Sequence, residues 1–208
     1  VWERCVSAVG KELVFIATDD KRITDEVKRF GGKSIMTSSE CLTGTDRLAA
    51  ANTTLNLDFI INVQGDEPLI DPNDILKVVR EYQNNPGTVV NAMCALSGEE
   101  EFRSLTVPKV VTSKTSNLLY MSRSSIPLSK NGTYHRGFKQ VCIYAFSKEH
   151  LEFFSSQQSK TDIEDIEDIE ILRFLENDIP VKMIEVESSS IAVDVPEDVN
   201  RVIDILNT

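Results

Sequence analysis

Two stretches of this chain carry carboxylates directly after an apolar run. In FIINVQGDEPLI, residues 59–70, the run ends in Gln64, Gly65, Asp66, Glu67 and Pro68. In AVDVPEDV, residues 192–199, Asp194 follows a short apolar piece and a Pro-Glu-Asp turn comes next. Aspartates at such places can ligate a hard cation such as Mg2+, which prefers carboxylate oxygen and keeps water or phosphate as its remaining ligands. Gly65 would let a ligand approach the backbone, and Gln64 could hydrogen-bond a base or a sugar. The plainer reading is a pair of strand-to-helix turns whose acids cap the following helices.

The surrounding pattern says what must hold these groups. VWERCVSAV reads as a helix stopped by Gly10, LVFIA as a strand, ITDEVKRF as a helix before Gly31 and Gly32, and KSIMT as a second strand. TGTDRLAAANTTL is a capped, alanine-rich helix, FIINVQG a strand, and DPNDILKVVREYQNN a helix with Pro72 in its first turn. Strand and helix alternate over roughly 20–30 residues, as expected of βαβ units and a mainly parallel sheet. NVQGDEP then falls at the C-terminal end of a strand, where open α/β sheets bind ligands. Further on, TVVNAMCAL, VPKVVTS, QVCIYAFS and VKMIEVE read as strands, and SIAV as a short strand before a last helix. The stretch SKTDIEDIEDIEILRFLEND reads as one long helix with Ile163, Ile166, Ile169 and Leu172 along a stripe, facing either the core or a second subunit. The organisation expected is a single domain over 1–208 with a smaller lobe roughly within 100–180.

Composition removes several classes. The formal net charge is -11, from 33 acids against 22 bases, which disfavours nucleic acid as a partner. No apolar run is long enough for membrane insertion, and no signal segment opens the chain. Cys5, Cys41, Cys94 and Cys142 lie far apart without a CxxC unit and read as reduced thiols of a cytoplasmic protein.

The ordered set TGTDRLA, NVQGDEPLI, VPKVV, YMSRSSIP, VCIYAF, IEILRFL and AVDVPEDVNRV resembles the 3-deoxy-manno-octulosonate (Kdo) cytidylyltransferases over almost the whole chain. The resemblance implies a Rossmann-like nucleotidyltransferase fold, with a central sheet flanked by helices and a smaller mixed α/β lobe for sugar binding and dimerisation. It implies transfer of CMP from CTP to the anomeric hydroxyl of Kdo or a related ulosonic acid, with release of pyrophosphate, in lipopolysaccharide biosynthesis. Asp66 and Asp194 become the Mg2+-binding, catalytic aspartates. Thr43, Gly44, Thr45, Arg47, Gln64 and Gly65 fall on the nucleotide side. Arg123, Gln140, Tyr144, Glu167 and Glu170 fall on the substrate side. The same resemblance implies a homodimer. A synthetase for sialic acids and a non-catalytic sugar-nucleotide binder are the competing readings.

Departures from the family pattern fall near expected substrate contacts: Cys41 and Gln140 stand where histidines are usual, and Ile171 where glutamine is usual. These leave the acceptor open between Kdo, an amino-substituted Kdo and another ulosonic acid. Lys109, Lys139 and His135 are candidate anion contacts. The family's opening strand and its Gly-, Arg- and Lys-bearing phosphate loop have no counterpart here, so the chain is expected to be an N-terminally incomplete piece of a longer protein.

Overall fold

The computed structural model describes residues 1–187, 192–193 and 196–206. Asp194, and with it Ser190 and Ile191 of the expected strand SIAV, lies outside the described residues. Helix α1, Trp2–Val9, ends at Gly10, whose φ of 86° suits glycine. Strands β1, Phe15–Thr18, and β2, Lys33–Met36, flank α2, Lys21–Arg29, and form a parallel pair of their own. Each of the next helices starts where a short polar side chain can accept a backbone N–H. Asp20 caps α2 through the amide of Arg22, and Thr43 caps α3, Gly44–Leu55, through that of Asp46. Asp71 caps α4, Pro72–Asn84, through Asn73, with the proline in the first turn. Between α3 and α4 runs β3, Phe59–Val63.

The second half adds β4, Val89–Ala95, the short α5, Glu99–Arg103, and strands β5, Lys109–Thr112, and β6, Leu118–Ser122. Strand β7, Phe138–Ser147, leads directly into α6, Lys148–Ser156. Then follow α7, Asp162–Glu167, α8, Leu172–Glu176, β8, Val181–Glu185, and α9, Pro196–Leu206.

The main sheet runs β6-β5-β7-β4-β8, with β3 also paired to β7. Strands β3, β4 and β5 are all antiparallel to β7, while β8 is parallel to β4. Four strands therefore share one direction, as the alternating pattern predicts, but β7 runs against them in their midst. Most neighbouring pairs are in consequence antiparallel, and the sheet is mixed rather than mostly parallel. The reversal enters between β5 and β6, which pair antiparallel, and β7 then runs in the same direction as β6 on the other side of β5. Residues 113–117 join β5 to β6 in a short turn, the connection that antiparallel neighbours allow.

Both faces of the sheet are buried, so its central strands alternate between two apolar clusters. Tyr144 and Phe146 of β7 pack on one side with Val89 and Met93. Val141, Ile143 and Ala145 pack on the other with Val90, Ala92 and Cys94. Strands β5 and β3 share the edge of β7 opposite β4, β5 at residues 138–139 and β3 at residues 143–147. Between these two pairings, at residues 140–142, the edge opens. The register with β4 also slips there, and the buried Asn91 compensates by donating its amide to the carbonyls of Val141 and Ile143, both at 3.0 Å. An opened strand edge with a pinned backbone makes a rigid cleft floor.

The expected long helix over the isoleucine repeat is two short ones. Asp168 adopts a left-handed conformation with φ of 50° and ends α7. The stripe divides accordingly: Ile166 is 83% exposed, whereas Ile169, Ile171 and Leu172 lie in the core. A three-residue repeat drifts round a helix of 3.6 residues per turn, so its members cannot all stay on one face without a break. Strand β6 and helix α6 were not apparent from periodicity.

Candidate active site

A cleft of about 660 Å³ opens over residues 140–142, within the range of small-ligand sites. One wall is the exit of β3, with Gln64, Asp66 and Glu67, together with the start of α3 at Thr43 and Gly44. The other wall is the 104–108 loop and Arg123. Asp168, Ile169 and Glu170 of the α7–α8 turn also line it.

The β3 exit is held by its own side chains. The carboxylate of Glu67 accepts the Cys142 amide at 2.7 Å, and the Gln64 amide donates to the Cys142 carbonyl at 3.1 Å. These bonds continue the β3–β7 pairing past the end of the strand and leave Asp66 beside the cleft. The amide of Val193 donates to the Asp66 carbonyl at 2.8 Å, and Ala192 lines the cleft, so residues 192–193 dock on this same exit. A β-carbon at Gly65 would meet nothing within 4 Å, so the protein itself does not demand glycine there. What glycine provides is bare backbone at the exposed edge.

The residues expected on the nucleotide side separate. Thr43 caps α3 and lines the cleft, and Gly44 stands beside it. Thr45 is fully buried, and its amide donates to Glu170 Oε2 at 2.9 Å. Arg47 does not line the cleft; it reaches Thr37 Oγ1 at 2.7 Å and Asp19 at 3.2 Å on the β1–β2 side.

The residues expected on the substrate side separate as well. The guanidinium of Arg123 lines the cleft but is tethered by main-chain carbonyls, with Nε to Glu167 at 2.6 Å and Nη2 to Asp168 at 3.0 Å. Glu167 faces away from the cleft and accepts from Tyr120 Oη, Ser122 Oγ and the Arg123 amide. Burial works against its ionisation, but these donors and the Arg123 charge outweigh it and hold the carboxyl below the usual range. Its role is to brace Arg123. Gln140 lines the floor and donates to Asn91 Oδ1 at 3.0 Å. Tyr144 lies deep in the cleft, where burial, then the neighbouring Cys142 and Glu170, keep its phenol protonated. Burial and the charges of Glu67 and Asp66 raise the Cys142 thiol, so it is no thiolate nucleophile.

Three further expectations change. Lys109 is no anion contact: it is fully buried, and its Nζ donates to the carbonyls of Ser104, Val107 and Arg123. His135 is exposed and off the cleft, while Lys139 lines it paired to Glu101 at 2.5 Å. Ile171 is 1% exposed in the core and cannot touch a ligand. Sequence reasoning missed Lys160 and Asp168, which line the cleft as an ion pair at 2.6 Å. Their only signal was the Thr161–Glu164 capping box just after Lys160.

Among the described residues no group of three or more His, Cys, Asp or Glu forms a ready metal cage. A Mg2+ site needs less, since that ion takes one or two carboxylates and completes its shell with water and phosphate. Asp66, beside an open polar cleft, fits that demand.

A mixed α/β sheet with an acidic, amide-bearing cleft at its strand ends places the protein in the class of α/β proteins that bind a ligand there. The comparisons with known proteins narrow it. The pattern of the cytidylyltransferase family matches residues 2–185. The 3-deoxy-manno-octulosonate cytidylyltransferase of Trichlorobacter lovleyi is 37% identical, over 97% of this chain and 84% of its own length. The 8-amino-3,8-dideoxy-manno-octulosonate cytidylyltransferase of Shewanella piezotolerans is 36% identical, over 96% and 83%. The solved structure of a CMP:2-keto-3-deoxy-manno-octonic acid synthetase complexed with CTP superposes with a TM-score of 0.90 at 34% identity, over 99% of this chain and 85% of that one. This chain belongs to the cytidylyltransferase family.

Proposed function

We propose that the protein transfers CMP from CTP to the anomeric hydroxyl of Kdo or a closely related ulosonic acid. The anomeric oxygen attacks the α-phosphorus, the bond from that phosphorus to the bridging oxygen breaks, pyrophosphate leaves with the electron pair, and the hydroxyl proton passes to solvent. The observation that carries this reading is the cleft at the β3 exit, with Gln64, Asp66 and Glu170 converging on it in a chain of this family.

Negative charge gathers on both sides of the reacting phosphorus, so the site must hold anions in line rather than supply a covalent nucleophile. Asp66, with Asp194, would hold Mg2+; when bound, the ion offsets phosphate charge and eases loss of the hydroxyl proton. Arg123 presents a permanent cation fixed by backbone carbonyls, suited to a carboxylate or phosphate oxygen. Gln64 and Gln140 offer neutral hydrogen bonds, and the buried neutral Tyr144 closes the floor.

The relatives named for Kdo and for its 8-amino form are almost equally similar, so identity does not choose the acceptor. Ile171 no longer bears on the choice, being in the core; Gln140 still does. The test is an acceptor panel with CTP and Mg2+, scoring pyrophosphate release with Kdo, 8-amino-Kdo and a sialic acid. Turnover with one or both octulosonates is expected. With the full-length protein, which the resemblance implies also carries the phosphate loop, release with the sialic acid alone would favour the sialic-acid reading, and release with none would leave a non-catalytic binder. Asp66→Asn should lower turnover by about 100-fold or more, on the scale of losing a group that stabilises transition-state charge, while thermal unfolding barely moves. Unchanged turnover would remove Asp66 from the chemistry.

A homodimer in the cytoplasm belongs to the same proposal. Leu105, Leu119, Leu128 and Ile166 are each at least 50% exposed in the region 100–180, apolar surface that a second copy could cover. Light scattering that finds only monomer at micromolar concentration would overturn it.

A further inference from the structure

Glu170 and Gln64 are 106 positions apart yet meet on one wall of the cleft, with Gln64 Nε2 at 2.6 Å from Glu170 Oε1. The other oxygen of Glu170 accepts the Thr45 amide at 2.9 Å, in the first turn of α3. A backbone amide can only donate and an ionised carboxylate can only accept. Glu170 therefore dictates which end of the Gln64 amide faces it. We propose that Glu170 is a positioning residue that locks the Gln64 side chain with its nitrogen inward, so that its carbonyl oxygen is what this point of the wall offers a ligand. The wall then selects a hydrogen-bond donor, a hydroxyl of either the acceptor sugar or the nucleotide ribose. This rests on the cytidylyltransferase reading and adds a polarity to the site.

Two observations separate this from a merely structural bond. Glu170, Gln64 and Gly44 all line the cleft, so the pair is displayed to a ligand rather than sealed in the core. A β-carbon on Gly44 would stand 3.4 Å from Gln64 Nε2 and 3.7 Å from both Glu170 oxygens. Position 44 sits in the first turn without a positive φ, so its backbone does not require glycine. The missing side chain leaves the pair open to the cleft. Among the described residues no cation pairs with Glu170; its partners there are neutral dipoles, as suits a group that orients an amide rather than holding an anion.

Glu170→Gln tests the lock. Its carbonyl oxygen must stay on the Thr45 amide, so its NH2 would face the NH2 of Gln64, and Gln64 must turn over. The cleft would then meet the ligand's hydroxyl with a donor in place of an acceptor. The expected result is a rise of about 10-fold in KM for one substrate, from one mismatched hydrogen bond, with kcat little changed and the other KM unmoved. Which KM rises, that of the sugar acid or that of CTP, identifies the source of the hydroxyl. In the same variant the side-chain amide resonance of Gln64, assigned by its loss in Gln64→Leu, should shift and lose exchange protection. A Gln64 resonance unchanged in Glu170→Gln would overturn the lock. So would a fall in kcat with both KM values unchanged, which would place Glu170 at the reacting atoms. If Glu170→Gln does not fold, Gly44→Ala supplies the second test: a methyl screens the pair from the cleft, so the same KM should rise while the Gln64 resonance persists. Unchanged KM values there would overturn the inference. Should the wild-type protein turn over no acid at all, the functional reading fails, while the resonance test still decides the lock.

Discussion

Glu164 and Glu170 lie six positions apart in the segment that carries α7 and α8, and the fold surrounds them in opposite ways. Glu164 is fully buried against the fully buried Arg173, with Nε at 2.6 Å and Nη2 at 2.7 Å in a two-pronged pair. Arg173 also reaches Asp46 at 3.3 Å, and its guanidinium lies 3.7 Å from the Phe154 ring centre. Glu170 has an amide N–H and the Gln64 amide, with no cation among the described residues, and it lines the cleft. Burial, opposed only in part by these hydrogen bonds, raises its pKa. A carboxylate that ties helices together receives a permanent counter-charge. One that lines the cleft beside Gln64 receives neutral dipoles instead.

The largest effect expected from this contrast is on the enclosed pair. Arg173→Met should lower unfolding stability by about 3–5 kcal/mol, because it leaves a buried carboxylate without its cation. Adding Glu164→Gln, which keeps the cap at Thr161, should restore much of that loss. Urea unfolding measures both, and a loss under about 1 kcal/mol for the single change would mean that water or another group neutralises Glu164.

A sharper and smaller effect separates Glu170 from Glu167, which sits between the two with a lowered pKa. A lowered folded pKa contributes stability that is present above the ordinary glutamate range and is lost as pH falls through the folded value. A raised one has the opposite sign: the folded state binds the proton more readily, so stability falls as pH rises from the ordinary range through the folded value. Glu167→Gln should therefore flatten the stability profile just below the ordinary range, and Glu170→Gln just above it. Stability profiles flattened in the same window by both would erase the distinction between brace and cleft wall.

Gln64 and Glu170 show how much of the site could be read before the fold was known. Gln64 stood out because NVQGDEP follows an apolar run, and Glu170 came only through resemblance, inside a repeat that reads as an acidic helix face. Their contact spans 106 positions, a distance that no local pattern encodes. Lys109 misled in a milder way: beside Val110 and Val111 it looks like a strand's exposed cation until two carbonyls of its own preceding loop and that of Arg123 close round it.

The sequence by itself determined the helix starts, because Asp20, Thr43 and Asp71 each cap through an amide two or three residues away. It also determined the alternation of strand and helix and the placing of Gln64 and Asp66 at a strand exit, since these follow from local periodicity. The tertiary structure decided that β7 runs against its neighbours and opens its edge at residues 140–142. It broke the isoleucine repeat at Asp168, sending Ile171 to the core and Glu170 to the cleft. Those outcomes depend on which distant groups satisfy each buried charge and backbone amide, and that is settled only when the whole sheet is packed on both faces.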